Sequence, residues 1–388
     1  MLGNGVSETR TYDNRLRLGS IAAGSLYTLN TPASPISYAP NSDILSANDS
    51  VNGSWAYSYD DFNRLAGSNK NSGAEIYGYD YDRFGNRWHQ NGPHLSSLGF
   101  DANNRIVSGS GVTYDVAGNV TSDGTHSYTY NAENRITQVD GTPGNCTSTS
   151  ATCYVYNANG ERVAKLGATR VDYLYDLAGH EITEIASASA WNRNEIYAGG
   201  RHLAIYNGGP SGSTYFVHSD WLGTERARST ATGGPYETCT SLPFGDWLTC
   251  SGADPSPMHF TSKERDSESG LDNFGARYNA STMGRFMSPD AFFKDSHVGD
   301  PQSWNKYAYV RNNPLRYTDP SGETATVRTE CWKISQNNST ICNVSISASI
   351  AIYAAPGSGL TQNQLNDAAS TIQSSIQNAW SVPSSKMG

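Results

Sequence analysis

Between Tyr57 and about Ile185 the chain repeats one short alternation of aromatic, polar and turn-forming residues. It reads Tyr59-Asp60…Asn63-Arg64-Leu65, Tyr81-Asp82…Gly85-Asn86-Arg87, Phe100-Asp101…Asn104-Arg105-Ile106 and Tyr114-Asp115…Gly118-Asn119-Val120. It continues as Tyr130-Asn131…Asn134-Arg135-Ile136, Tyr156-Asn157…Gly160-Glu161-Arg162-Val163 and Tyr175-Asp176…Gly179-His180-Glu181-Ile182. Unit starts lie 14 to 26 residues apart, a spacing typical of stacked repeats. Aromatic residues alternating ahead of the Asp predict a strand with one aromatic face. The Asp-x-x-Gly/Asn word supplies a turn whose third following residue tolerates positive φ. One such hairpin cannot bury its aromatic face alone, so neighbours must join into a continuous sheet. Seven copies of Asp and Arg predict turn and ladder roles, because a catalytic site is needed only once.

After Gly322 the aromatic style stops. Cys331 to Ile334 and Ile341-Cys342 flank a polar stretch and predict a hairpin. Val344, Ile346, Ala348, Ile350 and Ile352 alternate as a half-buried strand would. Thr361 and Gln364 form a capping box. The helix predicted behind it carries Leu365, Ala368, Ala369, Ile372, Ile376, Ala379 and Trp380 on one face.

Composition sharpens this picture. Only 16% of the 388 residues are charged, while Tyr numbers 24 and Gly 38, a mixture suited to short strands and turns. The net charge of −9 argues against a general nucleic-acid binder. No apolar run reaches the roughly 18 residues of a membrane span. The N-terminal MLGNGVSETRTYDNR lacks the apolar core of a secretion signal. It enters the repeat pattern almost at once, at Tyr12-Asp13-Asn14-Arg15-Leu16, as a chain beginning inside a longer array would.

Six cysteines fall into local pairs: Cys146 with Cys153, Cys239 with Cys250, and Cys331 with Cys342. Local disulfides in an exported protein are the favoured reading, worth roughly 2–3 kcal/mol each; free buried thiols are the alternative. No CxxC occurs and no His stands at zinc-ligand spacing, so neither metal nor cofactor is expected. His218 and Asp220 suggest a dyad, but without a third partner a packed His beside a β-turn is the plainer reading.

The densest run of charged and aromatic residues, 260–322, contains the words GLDNFGARY (270–278), MGRFMSPD (283–290) and NKYAYVRNNPLRYTDPSG (305–322). These words resemble the core domain of rearrangement-hot-spot (RHS) proteins and of the C components of bacterial Tc toxins. The upstream units resemble the YD repeats of those proteins and of teneurins. The resemblance implies a mainly β fold: YD-repeat hairpins in a spiralling sheet, here a partial shell, closed by an RHS core plug and followed by a small α+β segment. Expected boundaries are 1–250 for the shell, 251–322 for the plug and 323–388 for a variable effector's opening.

The resemblance also implies a self-cutting aspartic-type protease, with Arg277, Asp290 and Asp319 at the matching positions and cleavage near Gly322 and Glu323. Two adjacent carboxylates resist joint ionisation, so one keeps a proton while the other activates water. Without the resemblance, Arg277 with Asp290 reads as a structural salt bridge and Asp319-Pro320 as a turn opening. Two departures stand out: Asn279 replaces the second Tyr of the family's ARYY word, and Glu323 stands where the family has Leu. The second is expected to weaken docking of the cut site or shift it. The mixed-charge run Lys263 to Asp272 reads as a solvated turn or a salt-bridge lattice at the plug.

The function implied is packaging and release of a toxin by a secreted or cell-surface bacterial protein. Its expected partners are its own C-terminal effector, secretion or cell-surface components and glycans. One rival is a non-catalytic YD-repeat adhesion protein that binds carbohydrate or cell surfaces. Another is an inert fragment of a larger RHS protein.

Overall fold

The computed structural model describes residues 2–107, 111–146, 150–186, 190–208, 212–252, 256–291, 295–297, 299–326, 332–333, 340–341 and 361. Two antiparallel sheets dominate. A ten-stranded sheet runs from Glu8–Tyr12 to Ser96–Ser97, and a twelve-stranded meander from Tyr128–Tyr130 to Thr249–Ser251. The hairpin Val112–Tyr114 with Val120–Asp123 lies between them in sequence. In the meander every strand pairs with the next, as stacked hairpins require.

One turn recurs throughout. In the unit at Asp60, its backbone N–H donates to the Arg64 carbonyl and its Oδ1 accepts from the Phe62 and Arg64 amides, at 3.0 Å each. Its Oδ2 takes the Arg64 side chain at 2.6 Å. The third residue after the anchor is left-handed, as at Asn63 (φ 60°) and Gly85 (φ 80°). In the first unit these slots fall on Leu16 and Arg17, not on Asn14 and Arg15 as the spelling suggests. The same turn forms at Ala39–Ile44 with no Asp anchor, so sequence reading missed it.

The fifth residue after each anchor points inward: Leu65, Ile106, Val120 and Ile136 are buried, and so are Arg87, Arg162, Glu181 and Glu225. The preceding tyrosine sits at a β-bulge and stitches neighbours together. Tyr59 donates its hydroxyl to the Ile44 carbonyl, Tyr81 to Leu65, Tyr130 to Val120, Tyr156 to Ile136 and Tyr175 to Arg162. Each acceptor is the inward residue of the unit before. The turn arginine completes the join, with Arg64 4.6 Å from the Tyr81 ring centroid. Tyrosine is therefore required for its oxygen as much as for its ring.

The described residues between 256 and 326 pack against both sheets. Phe260, Phe274, Phe286 and Tyr309 form one aromatic knot, with centroids 5.4–5.8 Å apart. They pack with Tyr27, Trp55, Tyr77 and Tyr79 of the first sheet, while Leu271, Tyr278 and Met287 pack with Tyr128, Ile136 and Tyr154 of the second. The core also caps the left-handed carbonyls of the repeat turns. Asn313 donates to Asn63, Asn312 to Gly85, Arg285 to Asn104, Tyr307 to Gly118 and Ser262 to Gly223.

The mixed-charge run resolves into a lattice. Arg162 of the shell meets Glu264 at 2.5 Å and Asp266 at 2.6 Å, and Lys165 meets Asp266 at 2.7 Å. Cys146 is bonded to Cys153 and Cys239 to Cys250. Cys331, Cys342, the strand expected at 344–352 and the helix after Thr361 lie outside the described residues; Trp332–Lys333 pairs with Thr340–Ile341.

Tyr81→Phe keeps the ring but leaves the Leu65 carbonyl without its donor. It should cost about 1–3 kcal/mol of stability, read as a lower midpoint in urea unfolding; an unchanged midpoint contradicts the stitching role.

Candidate functional site

Three short segments of the core meet at Arg277. Arg277 leads into the strand Tyr278–Ala280, Asp290 follows the strand Arg285–Phe286, and Asp319 heads the turn that carries Gly322. The Arg277 guanidinium lies 3.8 Å over the Phe286 ring centroid, which fixes its plane. Nη2 faces Asp290 Oδ2 at 3.4 Å and Asp319 Oδ2 at 3.3 Å. Nη1 donates to the Lys306 carbonyl at 3.0 Å and Nε to the Gly322 carbonyl. One cation thus holds both carboxylates and two backbone carbonyls, those of Lys306 and Gly322.

Asp319 is a turn anchor in the same idiom as the repeats. Its Oδ1 accepts from the amides of Ser321, Gly322, Glu323 and Thr324 at 2.8–3.3 Å. The turn reading of Asp319-Pro320 and the site reading therefore coexist. Gly322 has φ +77°, and a Cβ there would meet the Arg277 nitrogen at 3.0 Å and the Phe274 carbonyl at 3.1 Å. No other residue lets the chain lie this close to Arg277. Ala276 also donates to the Ser321 carbonyl, pinning the segment from the other side.

Burial pushes the Asp290 carboxyl up from its ordinary value, with Arg277 pulling against it. Burial likewise pulls the Arg277 guanidinium down, opposed by Asp290 and Asp319. A cavity of about 20 Å³, roughly one water, is lined by Arg277, Asp290, Lys306, Asp319 and Glu323. Asp319 and Glu323 also line a second, open cavity of about 620 Å³. Glu323 is half-buried, its amide held by Asp319 Oδ1 at 3.0 Å.

Sequence reading missed Lys306 and Asp295. The Lys306 carbonyl also accepts from the Asp290 amide at 2.9 Å, and burial pulls its ammonium down. Asp295 accepts from the Ala325 amide and pairs with Arg311 at 2.6 Å, holding the chain just past the turn. Lys306 lies inside a matched word and Asp295 between two of them, neither at a motif position. His218 and Asp220 do not form a site together. His218 Nε2 meets Ser229 Oγ at 2.9 Å, and Asp220 anchors a further repeat turn ending at Thr224.

A family model described as Teneurin YD-shell matches residues 41–315. The tRNA3(Ser)-specific nuclease WapA of Bacillus spizizenii is 28% identical over 279 residues, 68% of this chain and 12% of that protein. The toxin subunit YenC2 of Yersinia entomophaga is 42% identical over 65 residues, 17% of this chain and 6% of that one. Among solved structures, the Photorhabdus luminescens Tc holotoxin pore superposes with a TM-score of 0.67 at 19% identity, over 84% of this chain and 18% of that one. The TcdB2-TccC3 crystal structure without its hypervariable C-terminal region gives 0.66 at 19%, over 82% and 18%. The chain therefore spans only about an eighth of the length of that WapA protein.

Arg277→Met strands the buried Asp319 carboxylate and the half-buried one of Asp290, and should lower stability by about 3–5 kcal/mol. Asp290→Asn acts oppositely. Because the folded state raises this group's pKa, its ionisation disfavours the fold at pH 7, and that penalty fades as pH falls to the ordinary Asp value. The Asn variant should melt no lower than the parent at pH 7, with the two melts converging toward pH 4. An Asn variant that melts well below the parent at pH 7 contradicts this.

Proposed function

The chain belongs to the teneurin YD-shell family of RHS/YD-repeat proteins, and on that premise we propose that it packages a C-terminal effector and frees it by cutting itself once at Gly322–Glu323. In this reading residues 1–250 are the shell, 251–322 the plug and protease, and 323–388 the start of the effector. The observation that carries it is Arg277, which contacts Asp290, Asp319 and the Gly322 carbonyl with one guanidinium.

The chemistry follows from those contacts. Asp290 takes a proton from a water in the small cavity, and the hydroxide adds to the Gly322 carbonyl carbon. Arg277 Nε carries the developing oxyanion. Asp290 then returns the proton to the Glu323 nitrogen, the C–N bond breaks, and a Gly322 carboxyl group and a Glu323 amine result, one proton then passing between them. A carboxyl with raised pKa suits a group that both accepts and returns a proton. Asp319 holds the leaving amide in place. The reaction stops after one turnover because the enzyme is its own substrate.

Two relatives are named as a nuclease and a toxin subunit, and the neighbouring structures pair TccC3 with TcdB2. By analogy, the released segment acts as a toxin outside the producing cell, and a partner protein completes the shell. No helix among the described residues is long and apolar enough to cross a membrane. Glycan or cell-surface adhesion is the second reading, favoured by exposed aromatic rings: Phe62 (60% exposed) and Phe84 (44%) at repeat turns, and Trp88 (42%) on the strand after one.

The intact mass of the purified full chain decides between them. Cleavage predicts two species meeting at Gly322–Glu323 for the parent and one uncut species for Asp290→Asn. An uncut parent supports the adhesion reading instead.

A further inference from the structure

The sequence sets metal aside because no His lies near a cysteine in the usual spacing. The fold removes that objection. Cys239 and Cys250 face each other across the last hairpin of the large sheet. His259, nine residues after Cys250, returns beneath them with its Nδ1 3.9 Å from each sulfur. Glu237 Oε1 lies 3.7 Å from Cys239 Sγ, its other oxygen occupied by Arg228 at 2.8 Å. The donor atoms of Cys239, Cys250 and His259 all lie within 4.8 Å of one another.

We propose that reduction of the Cys239–Cys250 disulfide turns this cluster into a binding site for a thiophilic divalent cation of the zinc class. Cys239, Cys250 and His259 are the ligands, and a water takes the fourth position. Tetrahedral zinc with bonds of about 2.3 Å to sulfur and 2.0–2.1 Å to nitrogen needs sulfur-to-nitrogen edges of roughly 3.6 Å. The two such edges are already close to that length, so only the sulfurs must part.

The step balances with a dithiol as reductant. Its thiolate attacks one sulfur, its second thiol resolves the mixed disulfide, and two protein thiols form as the reductant is oxidised. Cys250 is half-buried and offers the accessible sulfur. The two thiols lose their protons as the cation binds. Glu225 and Glu237 face Arg228, two carboxylates against one guanidinium, so the surroundings of the site favour a cation.

The consequence is mechanical. The disulfide joins two strands of the shell to each other. The metal form ties both strands to His259, and through it to the start of the plug. A shell carried from an oxidising to a reducing compartment exchanges a cross-link within the sheet for one between sheet and plug.

The test uses the full chain, oxidised and dithiol-reduced, titrated with zinc and with cobalt(II) as a spectroscopic probe. Reduced protein should bind one zinc at this site, and cobalt should give a sulfur-to-metal charge-transfer band with tetrahedral d–d intensity. His259→Ala should weaken binding by at least about tenfold, since even outer-shell partners are worth about 10–100-fold. Combined Cys146→Ser and Cys153→Ser should leave it unchanged. Cys331→Ser with Cys342→Ser removes the remaining pair and should also leave it. Equal zinc uptake by oxidised protein, no uptake after reduction, or uptake indifferent to His259 would each overturn the proposal. If His259→Ala fails to fold, His259→Gln read by the cobalt spectrum serves instead, and an unshifted spectrum overturns it equally.

Discussion

The structure turns on a guanidinium buried where shell and plug meet. Arg162 belongs to a shell strand, is about 2% exposed, and spends its donors on the plug: Glu264, Asp266 and the Tyr278 hydroxyl. Its plane also lies 4.7 Å from the Tyr154 ring centroid. A buried ion pair adds little net stability over an apolar contact, yet removing one partner strands the other at several kcal/mol. Such a contact specifies which surfaces belong together. It fixes the strand Glu264–Arg265, hence the short core sheet, and hence Tyr278, the residue next to Arg277.

The plug reads the shell by backbone geometry. Left-handed turn residues leave their carbonyls pointing inward, and side chains of the core cap them one after another. This explains why the word NKYAYVRNNP is rich in Asn and aromatic residues. Asn305 and Asn313 also reach the side chains of Asn86, in the Gly85 turn, and of Asp43, in the Ala39–Ile44 turn. The repeats therefore serve twice, as rungs of a sheet and as a row of acceptors that orient the core.

Much of this was legible in the sequence. Repetition of Asp and Gly or Asn at fixed spacing announced the turns, because few residues tolerate left-handed φ. The words in 260–322 marked the core, and their resemblance to the RHS core brought Arg277, Asp290 and Asp319 forward as a group. What stayed hidden depends on three-dimensional return of the chain. Ala39 offers no carboxylate to mark its turn, Lys306 contributes through its backbone carbonyl, and Arg162 looks like any repeat arginine until the plug is placed against it. His259 joins Cys239 across twenty residues, a spacing no motif anticipates. The identity of the inward residue also escaped pattern reading, since charges stand there wherever the plug supplies their partners.

Arg162 holds the site in shape from the shell side. Amide hydrogen exchange on the full chain with Arg162→Met tests this most directly. Exchange should quicken in the shell strands Thr152–Tyr156 and Arg162–Leu166, and in residues 274–278 and 318–324 as well. Faster exchange confined to the shell strands, with the segments around Arg277 and Asp319 protected as in the parent, would contradict it.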